Sequence, residues 1–183
     1  MRPHSATARL ILWSALIVGL GCRVYVALTD DGIYWPDEIH QSLEPAHRLV
    51  FGYGLIAWEF VEGARNWAFP GFIAVLMGMS AALKGDSPQI YLMVIRLVFV
   101  AMSLATAVGI YRVARAWRAS EEAAAVGAAA WALAAPSIYF AHRAMSENAA
   151  TFAAVWAVVF LLAPNASRRS VWLGASLLGL SVL

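Results

Sequence analysis

The stretch IYLMVIRLVFVAMSLATAVGIYRV, Ile90–Val113, decides the fold class. It is apolar apart from Arg96 and Arg112, and it exceeds the roughly 20 residues that cross a bilayer as a helix. Similar blocks lie on either side: Leu10–Leu20 continued by Val24–Leu28, then Phe69–Leu83, Ala123–Phe140, Ala149–Ala163 and Val171–Leu183. The whole chain of 183 residues is 62% hydrophobic and 13% charged, with a mean hydropathy of +0.69. A soluble domain is near half apolar and a quarter charged, so the surplus calls for lipid. The blocks are rich in Ala, Leu, Val and Trp without the alternation of barrel strands, which predicts helices. The expected fold is all-α, a polytopic transmembrane helix bundle. Alanines such as Ala128–Ala130, Ala134 and Ala135 suit close helix packing.

The first block is preceded by a short basic segment, and Gly21-Cys22 faintly resembles a lipoprotein cleavage site. Gly19, where a larger aliphatic is usual, and the resumed apolar run after Arg23 predict an uncleaved first span instead. The last block is shorter than a span, so the sequence is expected to be the N-terminal piece of a longer polytopic protein, inactive by itself. Cys22 is the single cysteine and forms no internal disulfide. The net charge is only +2, with no basic cluster interleaved with aromatics, so nucleic acid is not an expected partner.

Arginine placement sets the expected topology. Arg2 and Arg9 put the N-terminus in the cytoplasm, and the segment after the first span then lies outside. That segment is acidic: Asp30, Asp31, Asp37, Glu38, Glu44, Glu59 and Glu62 face only Arg48 and Arg65. Arg112, Arg115 and Arg118 share one later connection, and Arg168 and Arg169 another. If Phe69–Leu83 crossed, the first of these would fall outside. At about 15 residues, roughly 23 Å, the block is short for a hydrocarbon core of about 30 Å. It is expected to be an interfacial or re-entrant helix, at about 69–84, within an outer loop 29–88. The expected spans are 9–28, 89–113, 122–140, 149–164 and 170–183. The turn His142–Asn148 then shares the outer side with Asp37. Asn165-Ala166-Ser167 fits a glycosylation sequon but falls on the cytoplasmic side.

Several polar residues have a plain structural reading. Pro36-Asp37-Glu38 suits a helix start, with proline in the first turn and acids favoured by the dipole. This helix is expected to reach about Glu44, because Pro45 is poorly tolerated further in. Asp37, Gln41 and Glu44 then share one face, with His40 beside them. Trp35, Trp58 and Trp67 suit an interfacial aromatic belt. Arg65 reads as a headgroup contact or an ion-pair partner. Arg143 and Glu147, four apart, could pair on a helix. Arg23 and Arg96 sit in or near apolar spans, where a structural salt bridge or a polar cavity is expected. No ligand set has metal spacing.

Taken together, Pro36-Asp37-Glu38, Gln41, Glu44-Pro45-Ala46-His47, Gly52-Tyr53-Gly54, Trp58-Glu59-Phe60, Arg65 and Pro70 resemble glycosyltransferase family 22, the Alg9-like and GPI-anchor mannosyltransferases of the GT-C superfamily. The resemblance covers about 35 residues. That family carries a pattern like HPDE-x-x-Q, then E-P-x-H, G-x-G and W-E followed by an aromatic. Trp35 replaces the family's histidine. The turn Arg143–Asn148 loosely resembles the family's R-T-x-S-N-x-x-E, with Glu147 and Asn148 out of step.

The resemblance implies an inverting membrane enzyme. It would move a sugar, typically mannose, from a polyprenyl or dolichyl phosphate to an acceptor hydroxyl on a glycan or glycolipid at the outer face. It implies Asp37 as general base and Glu38 as a second carboxylate that positions the acceptor. Gln41, Glu44, His47, Trp58, Glu59, Arg65, His142 and Arg143 are the expected contacts to substrate and lipid phosphate. No cofactor is implied beyond the lipid-linked donor, which would sit against membrane lipid. Arabinosyl transfer and protein O-glycosylation stay open, as does a non-enzymatic transporter of lipid-linked sugar. A transporter would call for helices broken near mid-span, whereas Pro136 lies near a span end. The abundance of Ala, Arg and Trp points to a GC-rich bacterial genome, for which the outer side would be periplasmic or extracellular.

Overall fold

The computed structural model describes residues 5–30, 32–84, 86–163 and 167–181, and all regular structure within them is helical. Arg2, Asp31, Leu183 and the Asn165-Ala166 part of the sequon lie outside the described residues. The elements are α1 (Ala6–Thr29), α2 (Pro36–Glu38), a π-turn (Ile39–Leu43), α3 (Glu44–Phe51), α4 (Trp58–Val61), α5 (Ala68–Lys84), α6 (Pro88–Ala116), α7 (Glu121–Leu133), α8 (Ala135–Tyr139), α9 (Ser146–Leu161) and α10 (Arg168–Leu180). Among the described residues, α1 and α6 are the two helices long and apolar enough to cross a membrane. Their starts follow local chemistry: the Ser5 hydroxyl accepts from the Ala8 N–H at 3.3 Å, and Pro88 occupies the first turn of α6. Ser120 and Ser167 cap α7 and α10 in the same way.

α1 and α6 run antiparallel, with Ala15 packed near Ala107 and Ala27 near Val100. α7 runs parallel to α1, from the Ser5 N–H bond to Glu121 (2.8 Å) up to Ala132 beside Gly19. α9 follows α6, its Trp156 indole donating to the Ala105 carbonyl at 3.1 Å, and α10 returns along α9. One end of the assembly therefore gathers Arg9, Arg112, Arg115, Arg118, Arg168 and Arg169. The other gathers Asp30, the segment 32–67, the start of α6 and the turn 140–146.

α5 keeps the chain at that second end. Its Phe69 and Phe72 rings lie 6.2 and 6.4 Å from Phe99, and its last turn leads directly to Pro88. It runs beside the first turns of α6 and buries Ile73 and Met77 against Ile95, Phe99, Leu43 and Ala46. Removing such a side chain from water is worth about 1.5–3 kcal/mol. This cluster fixes α3 and α5 as a layer on the end of α6.

The segment 122–140 is interrupted. Ala134 is extended (φ −64°, ψ 129°), and Pro136 opens α8 without an N–H to offer the preceding turn. The carbonyls this leaves open are met by Arg23, which is fully buried. Its guanidinium donates to Ala132 O at 2.6 Å, to Trp131 O at 3.4 Å and to Gly19 O at 3.1 Å. Ser103 and Ser137 hydroxyls complete its shell. Arg23 is thus held by backbone carbonyls and hydroxyls in place of the expected salt bridge. Arg96 likewise donates to Ala27 O at the end of α1, at 3.2 Å.

Candidate active site

Pro45 does not end the helix begun at Pro36. The backbone widens into the π-turn 39–43, where the Glu44 N–H reaches Ile39 O, and continues as α3 to Phe51. A π-turn inserts one residue and rotates everything after it by about 100°. Asp37 and Gln41 therefore share a face, and Glu44 leaves it. The Glu44 carboxylate instead accepts from the Leu55 N–H at 2.9 Å and pins the loop after α3. Gly54 makes room for it: a Cβ there would lie 2.9 Å from the same oxygen.

Asp37 is exposed and opens onto a polar pocket built from three segments. Asp37, Gln41 and Ser42 form one wall; Phe60, Arg65, Asn66, Phe69 and Pro70 form the second; Met145, Ser146 and Glu147 close the third. Arg65 supplies the cation and is oriented by Glu59, 2.7 Å away. The Asn66 side chain accepts from the Ala68 N–H at 2.9 Å and fixes the start of α5. Of the residues expected to bind substrate, Asp37, Gln41 and Arg65 meet here, with Glu59 one step behind. Ser42, Asn66 and Ser146 join them without having been singled out. Glu147 joins them too; the pairing with Arg143 that its spacing suggested does not form.

Arg143 is instead buried beneath the pocket. Its guanidinium lies 2.5 Å from Asp30 Oδ2, 3.3 Å from Glu38 Oε2 and 2.6 Å from Gly32 O. The Tyr34 and Tyr139 rings flank it, each 5.6 Å away. Glu38 Oε1 accepts from the Ala144 N–H at 3.0 Å, so both its oxygens are occupied. Burial pushes the Glu38 carboxyl up, against the opposing pull of the Ala144 N–H and Arg143. His142, also buried, is held at about 4 by burial first and by Arg143 second, although Asp30 lies 3.5 Å from its Nε2. It is therefore neutral at pH 7. The Asn148 amide donates to Phe140 O (2.7 Å) and Arg143 O (3.0 Å) and shapes the turn that carries this cluster.

Glu38, His142 and Arg143 thus lie apart from the pocket lining, in contrast to the substrate contacts expected of them. They tie the Asp37 segment to the 140–146 turn. Asp30, which was read only as part of an acidic loop, is their partner. His47 also faces elsewhere: its Nδ1 is 3.1 Å from Tyr53 O and its Nε2 is 3.5 Å from Asp86. Tyr53 donates to the same carboxylate, which pushes its phenol up. This latch joins the loop after α3 to the start of α6. Trp58 is 68% exposed and Trp35 packs on Phe140, so neither lines the pocket. Among the described residues no group of three or more His, Cys, Asp or Glu could hold a metal ion.

An apolar groove continues from the pocket. It runs between α5, α6, α9 and α10, past Phe72, Met102, Phe152, Ala153, Leu177 and Leu180, and shares Phe69, Ser146 and Glu147 with the pocket wall. A polar headgroup and an attached hydrocarbon chain could therefore occupy adjoining spaces.

The family model of the Alg9-like mannosyltransferases matches residues 14–178. GPI mannosyltransferase 3 of Drosophila melanogaster is 46% identical over 65 residues, which is 36% of this chain and 12% of that protein. GPI mannosyltransferase 3 of Yarrowia lipolytica is 42% identical over 81 residues, 44% of this chain and 16% of that protein. GPI alpha-1,2-mannosyltransferase 3 of Danio rerio is 37% identical over 89 residues, 48% of this chain and 16% of that protein. The match thus spans less than a fifth of the length of each of these relatives. No solved structure matches the chain. With most of its length matched by the family model, the chain belongs to the Alg9-like mannosyltransferase family.

Proposed function

We propose that this protein transfers mannose from a polyprenyl or dolichyl phosphate to a hydroxyl of a glycan or glycolipid acceptor, with inversion at the anomeric carbon. The observation that carries this is the position of Asp37: an exposed carboxylate in a polar pocket lined by Arg65, with an apolar groove adjoining it. Asp37 takes the proton of the acceptor hydroxyl as its oxygen attacks the anomeric carbon. The bond from that carbon to the phosphate oxygen breaks on the opposite face, and the lipid phosphate leaves. Arg65, aimed by Glu59, balances the charge growing on it. The lipid tail lies in the groove of Phe72 and Phe152. Mannose is favoured over arabinose by the relatives' names, all of which are mannosyltransferases.

The same reading makes the protein a multi-pass membrane protein, with a GT-C type bundle formed by α1, α6, α7–α8, α9 and α10. The arginine-rich end is cytoplasmic, and the Asp37 end, with α5 at the interface, faces out. Against a transporter stands the α7–α8 break. A transporter would use such opened carbonyls for an ion, and here they are filled by Arg23.

Donor class tests the proposal. Membranes holding the protein are given radiolabelled mannose either as polyprenyl-phosphate-mannose or as GDP-mannose, in the presence of an inhibitor of their interconversion. Label should pass to acceptor from the lipid donor alone. Transfer from GDP-mannose alone would overturn the proposal.

A further inference from the structure

Glu147 is the second carboxylate of the pocket wall, and it is exposed there. Among the described residues no ion pair forms to it: Arg143 pairs with Asp30 and Glu38, and Arg65, on the same pocket wall, pairs with Glu59. The Glu147 carboxylate accepts from the Ser146 hydroxyl at 3.4 Å, while its backbone carbonyl accepts from Thr151. Glu147 also lines two further spaces: the apolar groove beside α10, and a second cavity toward Ser137 and Thr151 between α6, α8 and α9. It stands where these spaces meet the pocket that holds Asp37.

An ionised carboxylate is an acceptor with two oxygens and no donor. Its complement is a pair of hydroxyl donors. Glu38, expected from sequence to position the acceptor, has both oxygens occupied inside the protein. We propose that Glu147 is the acceptor-positioning residue of this site, its carboxylate receiving two hydroxyls of a sugar acceptor while Asp37 takes the proton. This rests on the transferase reading above. It narrows the acceptor to a sugar carrying neighbouring hydroxyls, as distinct from a lone protein serine or threonine.

Glu147 also lies in the first turn of α9, where an acid favours the helix through its dipole. That role would affect folded yield and not acceptor affinity. The test separates the two. The whole protein in membranes is assayed with polyprenyl-phosphate-mannose as donor and octyl α-mannoside, or its monodeoxy analogues, as acceptor. Glu147→Gln should raise the acceptor KM roughly tenfold, as expected for a lost hydrogen bond to a charge, with the donor KM unchanged. Glu147→Asp should recover part of the loss. A monodeoxy acceptor lacking one of those two hydroxyls should lose less on Glu147→Gln than octyl α-mannoside does. An unchanged acceptor KM, or a fall in rate that only tracks the amount of folded protein, would overturn the assignment. Asp37→Asn in the same assay keeps the two proposals distinct: turnover retained there sinks the transferase mechanism, whereas an unchanged KM in Glu147→Gln sinks only the role of Glu147.

Discussion

Arg143 and Glu38 meet at 3.3 Å in the interior of the protein, and the residue before Glu38 is Asp37. The Asp37 carboxylate is therefore exposed to the pocket, while its neighbour in sequence anchors the backbone to a turn more than a hundred residues away. Asp30 completes the anchor from the end of α1. One guanidinium thus ties the end of α1 and the Asp37–Ser42 wall of the pocket to the 140–146 turn.

Removing that guanidinium should be costly. Arg143→Ala leaves the buried Glu38 and the half-buried Asp30 without their ion-pair partner, and breaking such a cluster typically costs about 3–5 kcal/mol. Thermal unfolding in detergent should show the loss. The triple variant Arg143→Met, Asp30→Asn, Glu38→Gln should recover much of it, because no uncompensated charge remains. Equal losses in the single and triple variants would contradict this account of the cluster.

The π-turn separates Gln41 from Glu44. Gln41→Ala should slow transfer with little change in thermal stability. Glu44→Ala should cost roughly 1 kcal/mol, because it leaves the Leu55 N–H without its acceptor. Its effect on transfer should follow folded yield. The pair of variants, assayed for rate and unfolding side by side, distinguishes the pocket face from the loop anchor.

Arg23 and Pro136 should be coupled. Arg23→Met exposes the Ala132 carbonyl to an apolar interior with no donor. Pro136→Ala restores an N–H that can reach that carbonyl if the helix closes. The double variant should therefore lose less stability than the sum of the singles, by roughly 1–2 kcal/mol. Strict additivity in a double-mutant cycle would show that Arg23 does not act through the break.

His142 gives the protein an acid-side weakness. Its imidazole titrates at about 4 when folded, against an ordinary 6.5. Above pH 6.5 it is neutral in both states, and its contribution is fully present. Between 6.5 and about 4 the unfolded chain takes up the proton first, so stability falls as pH falls. Glu38 acts in the opposite sense: its raised value favours the folded state as pH drops through it toward 4.5. In His142→Gln the decline in melting temperature between pH 6.5 and 4 should be shallower than in wild type. A parallel decline would place the acid sensitivity elsewhere.

The helical class was legible because composition and the length of Ile90–Val113 depend on the sequence alone. Asp37, Gln41 and Arg65 were legible because motif resemblance marks the segments that converge on the pocket. Glu44 was misplaced for a local reason: a uniform α-helical period cannot foresee the residue inserted before Pro45. Glu38, His142 and Arg143 were misplaced for a tertiary one. Charged residues in a short polar loop look solvent-facing, and only the return of the 140–146 turn over Asp30 buries them. The role of Arg23 depends on a carbonyl 109 residues away, which no local pattern reveals. Glu147 was in view from the start, but helix spacing suggested the wrong partner.

The central claim is that Asp37 is the base of a lipid-phosphate-dependent mannosyl transfer. The most direct measurement compares wild type with Asp37→Asn in membranes at equal expression, following radiolabelled mannose from polyprenyl-phosphate-mannose into acceptor. The substitution keeps the size and pocket position of the side chain and removes its basicity. Transfer by wild type, with a loss of at least about a hundredfold in the variant, is the expected result. Equal transfer by the two would contradict the account.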